Sequence, residues 1–303
     1  MKKARSILSF LLAVAICLTV FVGFAKNMTV TNVHADNGSD GDIIGVSLPT
    51  MQVEHISEIK NYIQSTFSGS DFTVIISDAQ NAVNEQINNI HNFILQSAKA
   101  IVVMPIDENA LTGVLDEAAE NDIIIIIIGR NSGKCPSAIY VDFDYAGTAE
   151  NDANLFLNNY WNNTDNFNVL IFACNSDHGD IYYQTLTDIL LNYVNISRDV
   201  FRVDDVDEIS TCTNGWLNDH NGVLPDAIFT CCDLNAQAVL DALIAAGFTF
   251  TPGGIPIYGF KPNCTHHYVA LAERILDLIQ KTMSGEINAK GMTFLVGICH
   301  CSD

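Results

Sequence analysis

The sequence predicts an α/β protein with two parallel-sheet units. Buried strands and amphipathic helices alternate from Asp42 onwards, as expected when helices cover both faces of a parallel sheet. One strand consists of six consecutive isoleucines, Ile123 to Ile128, bounded by polar residues and by Gly129. This run is far shorter than the roughly 20 apolar residues of a bilayer span, and it is typical of a strand buried on both faces. The alternation breaks near residues 146–168 and then resumes.

In the first unit the predicted strands and helices follow one another closely. The order is the strand DIIGVSL, the helix HISEIKNYIQSTF, the strand FTVIISD, a second helix, the strand KAIVVMPID, the helix ENALTGVLDEAAEN, the isoleucine strand and the strand SAIYVDFD. The first two helices carry apolar residues at helical spacing, namely Ile56, Ile59 and Ile63 in one and Val83, Ile87, Ile90 and Ile94 in the other. Asp107 precedes the third helix and is well placed to cap it.

The second unit repeats this pattern. After the polar stretch NNYWNNTDNFN come the strand VLIFACNSD, the helix YYQTLTDILLNYV, the segment DVFRVDD, the strand DAIFTCCD and the helix LNAQAVLDALIAAG. The chain then continues with the strand IPIYGFK, the long helix HHYVALAERILDLIQKTMSGE and the strand MTFLVGICHC.

The N-terminus predicts export to the periplasm or the outer cell surface. MKKARSILSFLLAVAICLTVFVGFA has a basic start and an apolar run, with small-residue exits at Ala25 or Ala35, as in a secretory signal peptide; an uncleaved anchor is the alternative. Lipidation at Cys17 is not supported, because Ile16 stands where that signal requires a small residue. Removal of residues 1–35 leaves a formal charge of about −25, which disfavours binding to nucleic acid and to anionic membranes.

The eight cysteines beyond residue 35 leave the thiol state open. An exported protein can pair them, but spacing does not reveal connectivity, and in an anaerobic cell they can remain buried thiols. A strained disulfide between the neighbours Cys231 and Cys232 is a further alternative. No metal site is expected at Cys299, His300 and Cys301, because zinc sites usually space two cysteines two to four residues apart and add a second such pair.

Polar and charged residues stand where the predicted strands end. They are Asp78, Asp107, Arg130, Asp144, Asp177, His178, Asp233 and Lys261. Ligands of open parallel sheets bind at the carboxyl ends of strands, so these residues are candidates for ligand binding. The sequence contains no Gly-x-Ser-x-Gly motif, phosphate-binding glycine loop or dinucleotide fingerprint. These absences argue against an enzyme, so we expect no catalytic residues, cofactor or metal.

Several motifs, taken in order, resemble one known family. IIGVSLPT, ISDAQNAVNEQINNI, AIVVMPIDENALTGVLDEAAE, IYVDFDYAG and DLNAQAVLDAL resemble the type I solute-binding proteins of bacterial ABC importers, with the glucose/galactose-binding group nearest. The resemblance covers about residues 42–290. It implies two Rossmann-like lobes joined by a three-strand hinge, the first formed by residues 36–145 and 262–288 and the second by residues 146–261 and 289–303. It also implies a monomer that closes on a sugar and delivers it to an ABC permease in the membrane.

The resemblance implies ligand-binding residues, which this chain carries unevenly. The His-x-Asp-x-x-x-Arg run of the glucose/galactose group is HGDIYYQ here, so His178 and Asp180 are kept and Gln184 replaces the arginine. In the first lobe, Val53 stands at the acidic position and His55 at the stacking aromatic position.

The remaining positions depart further from the family. Gly129 precedes Arg130 where a polar residue is usual, Cys232 replaces an asparagine before Asp233, and Lys261 replaces an aspartate. The expected ligand-binding residues are His55, Arg130, Asp144, His178, Asp180, Gln184, Cys232, Asp233 and Lys261.

These departures change the expected ligand. Each lost hydrogen bond to a buried hydroxyl costs about 1–3 kcal/mol, so several losses exclude ordinary glucose binding. A neutral sugar in a rearranged site, an anionic sugar near Arg130 and Lys261, and a non-sugar solute are all open. A sensor that reports to a membrane receptor or kinase is the alternative to transport, because both roles use closure around a ligand.

Overall fold

The computed structural model of the protein describes residues 31–33, 41–129, 131–203, 205–231, 233–249, 255–259 and 266–297. The chain divides into two compact units, Met1–Ile127 with Lys134–Ala138 and Ile128–Gly133 with Ile139–Asp303. Most of the expected signal peptide, residues 1–30 and 34–35, lies outside the described residues.

The first unit contains a mainly parallel sheet. Its strands are β1 (Thr31–Val33), β2 (Ile43–Leu48), β3 (Thr73–Asp78), β4 (Ala100–Val103) and β5 (Ile124–Ile128), arranged in the order β1-β3-β2-β4-β5. Strands β2 to β5 are parallel, and β1 runs antiparallel to β3. Ile125, Ile126, Ile127 and Ile128 are each at most 4% exposed, which confirms the prediction of a strand buried on both faces.

Helices α1 (Glu54–Phe67), α2 (Val83–Leu95) and α3 (Glu108–Glu120) connect these strands. As predicted, α1 buries its isoleucine face, and Phe67 extends that face by one turn. Asp107 caps α3 as predicted, since its Oδ1 accepts hydrogen bonds from Asn109 N at 2.9 Å and Ala110 N at 3.4 Å.

Helix α2 buries a face that is rotated from the predicted one and shares Ile90 with it. Its buried residues are Gln86, Asn89, Ile90 and Phe93, whereas Val83, Ile87 and Ile94 are only half-buried. The Gln86 amide donates to Met104 O and accepts from Ile106 N, both at 2.8 Å, so this buried polar group is satisfied by backbone groups beyond β4. Phe93 packs directly on β2, where a Cβ at Gly45 would approach its ring to 2.3 Å.

The second unit contains six strands and five helices in its described part. In chain order these are β6 (Ile139–Phe143), α4 (Tyr145–Asn159), β7 (Phe167–Cys174), α5 (Asp177–Leu190), β8 (Ile196–Val203), α6 (Val206–Asp219), β9 (Ala227–Thr230), α7 (Asp233–Ala245), β10 (Ile257–Tyr258), α8 (His266–Met283) and β11 (Thr293–Val296). Strands β10, β9, β7 and β8 form a parallel sheet in that order, and β6 pairs with β11 in parallel.

Helices cover both faces of the β10-β9-β7-β8 sheet. Alternate residues of β7 point to opposite faces, so Val169 and Ile171 pack with Tyr182 of α5, while Leu170 and Phe172 pack with Trp216 of α6. The α/β class with parallel sheets is therefore confirmed.

The stretch in which the sequence pattern breaks contains α4, a helix that this pattern did not predict. This helix buries only a narrow face, formed by Thr148, Ala149, Asp152, Ala153 and Phe156. Because two of these residues are polar and two are small, no apolar periodicity marks the helix in the sequence.

Candidate functional site

The carboxyl ends of β7 and β9 support the first turn of α5, which carries two of the expected ligand-binding residues. Ser176 caps this helix, its Oγ accepting a 3.0 Å hydrogen bond from Gly179 N. A Cβ at Gly179 would lie 2.2 Å from Cys174 O, so only glycine allows the helix to begin this close to β7. The turn therefore presents Asp177, His178 and Asp180 from a tightly packed base.

A disulfide joins the two strand ends beneath this turn. Cys174 at the end of β7 is bonded to Cys231, which follows β9. Asn235, 5% exposed on α7, directs its Nδ2 at both sulfurs, 3.4 Å from Cys174 Sγ and 3.6 Å from Cys231 Sγ. The thiol state, which the sequence left open, is thus a disulfide for Cys174 and Cys231. Cys135 and Cys212 are free cysteines.

His178 is held between an aromatic ring and a carboxylate. Its ring stacks on Tyr145, with centroids 4.5 Å apart and planes inclined by 17°. Its Nε2 lies 3.4 Å from Asp142 Oδ2, within ion-pair distance, and the Asp142 side chain, near the end of β6, is only 10% exposed. The stack on Tyr145 and the contact with Asp142 orient the histidine ring. Because the His178 side chain remains 36% exposed, part of it is accessible.

Aromatic side chains extend this cluster to the start of α8. Phe143 makes edge-to-face contacts with Tyr145, with His267 and with Tyr268, at centroid distances of 6.3, 5.7 and 6.3 Å. His267 is 1% exposed, so it belongs to the packing of the cluster. Phe143 and His178 thus contact Tyr145 directly, and Phe143 links it to the rings at the start of α8.

Asp180 forms an ion pair with Arg202 of β8. The Arg202 Nη1 donates to Asp180 Oδ1, and the guanidinium carbon lies 4.7 Å above the centroid of the Tyr183 ring. Both charged side chains are well exposed, at 39% for Arg202 and 56% for Asp180. No sequence pattern indicates Arg202, Asp142 or Tyr145, because only contacts between different elements bring them to this turn.

The other expected site residues have varied surroundings. Asp144 caps α4, its Oδ1 accepting a 2.8 Å hydrogen bond from Gly147 N, so part of its carboxylate is used structurally. Gln184 is exposed on α5.

In the first unit, His55 is exposed on α1, yet desolvation by neighbouring atoms lowers the pKa of its imidazole below 6.5. Arg130, Cys232 and Lys261 lie outside the described residues, as does the side chain of Asp233.

Metal binding finds no support in the described part of the chain, where no group of three or more His, Cys, Asp and Glu could hold an ion. Cys299, His300 and Cys301, which were considered above, lie outside that part.

Comparison with known proteins places this architecture in a family. Residues 44–266 match the family described as periplasmic binding protein domain. The chain belongs to this family. No curated protein matches the chain by sequence.

Three solved structures illustrate the family's fold. The chain is similar to the periplasmic binding protein of the arabinose ABC transporter from Shewanella sp. ANA-3, with a TM-score of 0.64, 16% identity and coverage of 84% of this chain and 90% of that chain. It is similar to the Caulobacter myo-inositol binding protein, with a TM-score of 0.66, 19% identity and coverage of 86% and 93%. The D-allose-bound ABC transporter periplasmic solute binding protein from Actinobacillus succinogenes 130z gives a TM-score of 0.67, 17% identity and coverage of 84% and 95%.

Membership of the periplasmic binding protein family confirms the predicted fold and the prediction of a binding protein rather than an enzyme. The narrower resemblance to glucose/galactose-binding proteins stays a prediction. Among the described residues, no helix combines the length and apolar character needed to cross a membrane.

Proposed function

We propose that the protein is an exported solute-binding protein that captures a small carbohydrate-like ligand and delivers it to the permease of an ABC transporter. The observation that carries this proposal is the first turn of α5, at the carboxyl end of the second-unit sheet. This turn carries both the His178–Tyr145 stack and the Asp180–Arg202 ion pair, so aromatic faces and planar hydrogen-bonding groups occur together within one unit. Structurally similar family members are named for arabinose and myo-inositol or contain D-allose, which supports this ligand class.

The chemistry of the cluster suits a polyhydroxylated molecule. Carboxylate oxygens accept hydrogen bonds from hydroxyl groups, guanidinium N–H groups donate to hydroxyl oxygens, and aromatic rings cover the apolar C–H faces of a sugar. Charge-assisted hydrogen bonds of this kind contribute about 1.5–3 kcal/mol each. The predicted export, the monomeric state and the permease partner belong to this proposal.

Thermal melting of the purified exported protein tests the ligand class. We expect at least one of myo-inositol, L-arabinose, D-allose, D-glucose, D-galactose and D-galacturonate to raise the melting temperature, because a ligand at 100 times its Kd stabilises the folded state by about 2.7 kcal/mol. His178→Ala should weaken this response. His91→Ala is the matched control, since His91 pairs with Glu117 at 3.2 Å on the surface of the first unit. A melting temperature unchanged by every compound refutes the carbohydrate proposal.

Uptake measurements distinguish transport from sensing. Deletion of the gene should abolish uptake of the radiolabelled ligand by intact cells if the protein feeds a permease. Unchanged uptake together with loss of a ligand-induced response would assign the protein to a sensor instead.

A further inference from the structure

Strand register places Arg202 at the carboxyl end of the second-unit sheet, where ligands of parallel sheets bind. In the parallel pairing of β7 and β8, Arg202 is level with Ala173, one residue before the end of β7. Phe201 and Val203, the neighbours of Arg202, pack on the sheet face that also holds Trp216. Because successive strand residues point to opposite faces, Arg202 points to the other face, where α5 lies.

Helix α5 has no lysine or arginine of its own. Its sequence is DHGDIYYQTLTDIL, with Asp177 and Asp180 in the first turn and Gln184 one turn after Asp180. A guanidinium at this helix must therefore come from another element, and Arg202 supplies it from β8, 22 residues after Asp180.

Two side chains of α5 position the Arg202 guanidinium. One of its nitrogens donates to Asp180 Oδ1, and its carbon lies over the Tyr183 ring, 4.7 Å from the ring centroid. A guanidinium carries five N–H donors, so donors remain for a second partner in addition to Asp180. An exposed ion pair contributes little to stability, so a purely stabilising role explains this pair poorly. Its position at the carboxyl edge of a parallel sheet, where ligands bind, favours a role in ligand binding.

We propose that Arg202 contacts the ligand and that, with Asp180, it recognises two adjacent hydroxyl groups of an uncharged polyol or sugar. Arg202 donates to one hydroxyl oxygen, and Asp180 accepts from the neighbouring hydroxyl group. Because the carboxylate neutralises the guanidinium, the pair selects a neutral ligand over a sugar acid. This inference rests on the proposed function and narrows its ligand class.

Calorimetric titration with myo-inositol, L-arabinose, D-allose and D-galacturonate tests the proposal. We expect a neutral compound to bind the wild-type protein more tightly than D-galacturonate does. Arg202→Gln should weaken the binding of this neutral compound by about 10- to 100-fold, the effect of losing a charge-assisted hydrogen bond. Arg202→Lys, which keeps the charge without the planar fork, should bind with intermediate affinity.

Two further variants separate charge from position. Asp180→Asn should weaken binding of the neutral compound and strengthen binding of D-galacturonate, because Arg202 is then no longer neutralised. In the Arg202→Gln protein, Gln184→Arg should restore part of the affinity, because an arginine four residues after Asp180 can pair with it on the helix. Arg274→Gln is the matched control, because Arg274 is an exposed arginine of α8 that pairs with Asp277.

The outcomes distinguish this inference from the proposed function. If a neutral compound binds the wild type and Arg202→Gln changes its affinity by less than about twofold, Arg202 does not contact the ligand. The proposed function then remains intact. Preferential binding of D-galacturonate by the wild type overturns the selection of neutral ligands. If the wild type binds no carbohydrate, the proposed function is refuted, and the inference is refuted with it.

Discussion

Asp152 is a carboxylic acid in the apolar core of the second unit, and we predict that it makes the protein less stable as the pH rises. Its side chain on α4 is fully buried, and its Oδ2 accepts a 2.7 Å hydrogen bond from the Tyr182 hydroxyl of α5. Desolvation raises the pKa of Asp152 from 3.8 to about 7, although the hydrogen bond from Tyr182 opposes this shift. Between pH 3.8 and about pH 7, the folded protein therefore keeps a proton on Asp152 that the unfolded chain releases.

The sign and size of the effect follow from the raised pKa. The stability contributed by the protonated acid is complete below pH 3.8 and is lost as the pH rises through about 7. At 1.36 kcal/mol per pKa unit, the free energy of unfolding should fall by about 2.6 kcal/mol between pH 5 and pH 8 because of this group. Asp152→Asn removes this part of the pH dependence, since its amide oxygen can still accept from Tyr182 but cannot ionise.

Urea unfolding followed by tryptophan fluorescence measures this difference, because the only two tryptophans of the chain, Trp161 and Trp216, belong to the second unit. The pH profile of the wild type minus that of Asp152→Asn isolates the titration of Asp152. Asp188→Asn, which changes an exposed acid of α5, is the matched control. If the profiles of the wild type and Asp152→Asn run parallel from pH 5 to pH 8, Asp152 is ionised in the folded protein and the reasoning is wrong.

Three further predictions concern stability. Reduction of the Cys174–Cys231 disulfide, which closes a loop of 57 residues, should lower the free energy of unfolding of the second unit by about 2–4 kcal/mol; an unchanged urea midpoint in reductant would contradict this. Gly179→Ala should cost about 1–3 kcal/mol through its clash with the β7 backbone, whereas Gly113→Ala in open space on α3 should stabilise by about 0.4–1 kcal/mol, and equal effects in thermal melts would refute the packing argument. Gln86→Leu should destabilise by about 1–3 kcal/mol for each backbone group left unsatisfied, and a neutral effect on urea unfolding would show that water replaces the amide.

Local patterns predicted the isoleucine strand and the buried face of α1, but not the buried face of α2. The isoleucine strand and the cap at Asp107 depend on residues close in sequence, so their structures could be predicted without knowledge of the fold. The buried face of α2 could not, because Gln86 is buried to satisfy backbone groups of a loop about 20 residues away. Hydrophobic periodicity alone treats such an amide as a surface residue.

The site shows the same limit. The motif HGDIYYQ predicted that His178 and Asp180 are ligand-binding residues, and the structure places both on the first turn of α5. Their partners Asp142, Tyr145 and Arg202 come from β6, α4 and β8, and only strand order and register bring them to this turn. A sequence motif can therefore indicate where a candidate ligand-binding helix begins, but it does not reveal which charged residues of other elements pair with that helix.

The first turn of α5 is fixed by contacts that do not require a ligand. Gly179 packs against the β7 backbone, Ser176 caps the helix, and the Cys174–Cys231 disulfide joins the strand ends beneath it. Each rotamer-rich side chain that binding immobilises costs about 0.5–1.5 kcal/mol, so groups oriented in advance leave more of the contact energy for affinity. Supporting residues and contacting residues should then differ in their mutants. Loss of the support at Gly179 should lower stability and affinity together, whereas loss of the exposed guanidinium of Arg202 should lower affinity while changing the free energy of unfolding by less than about 1 kcal/mol.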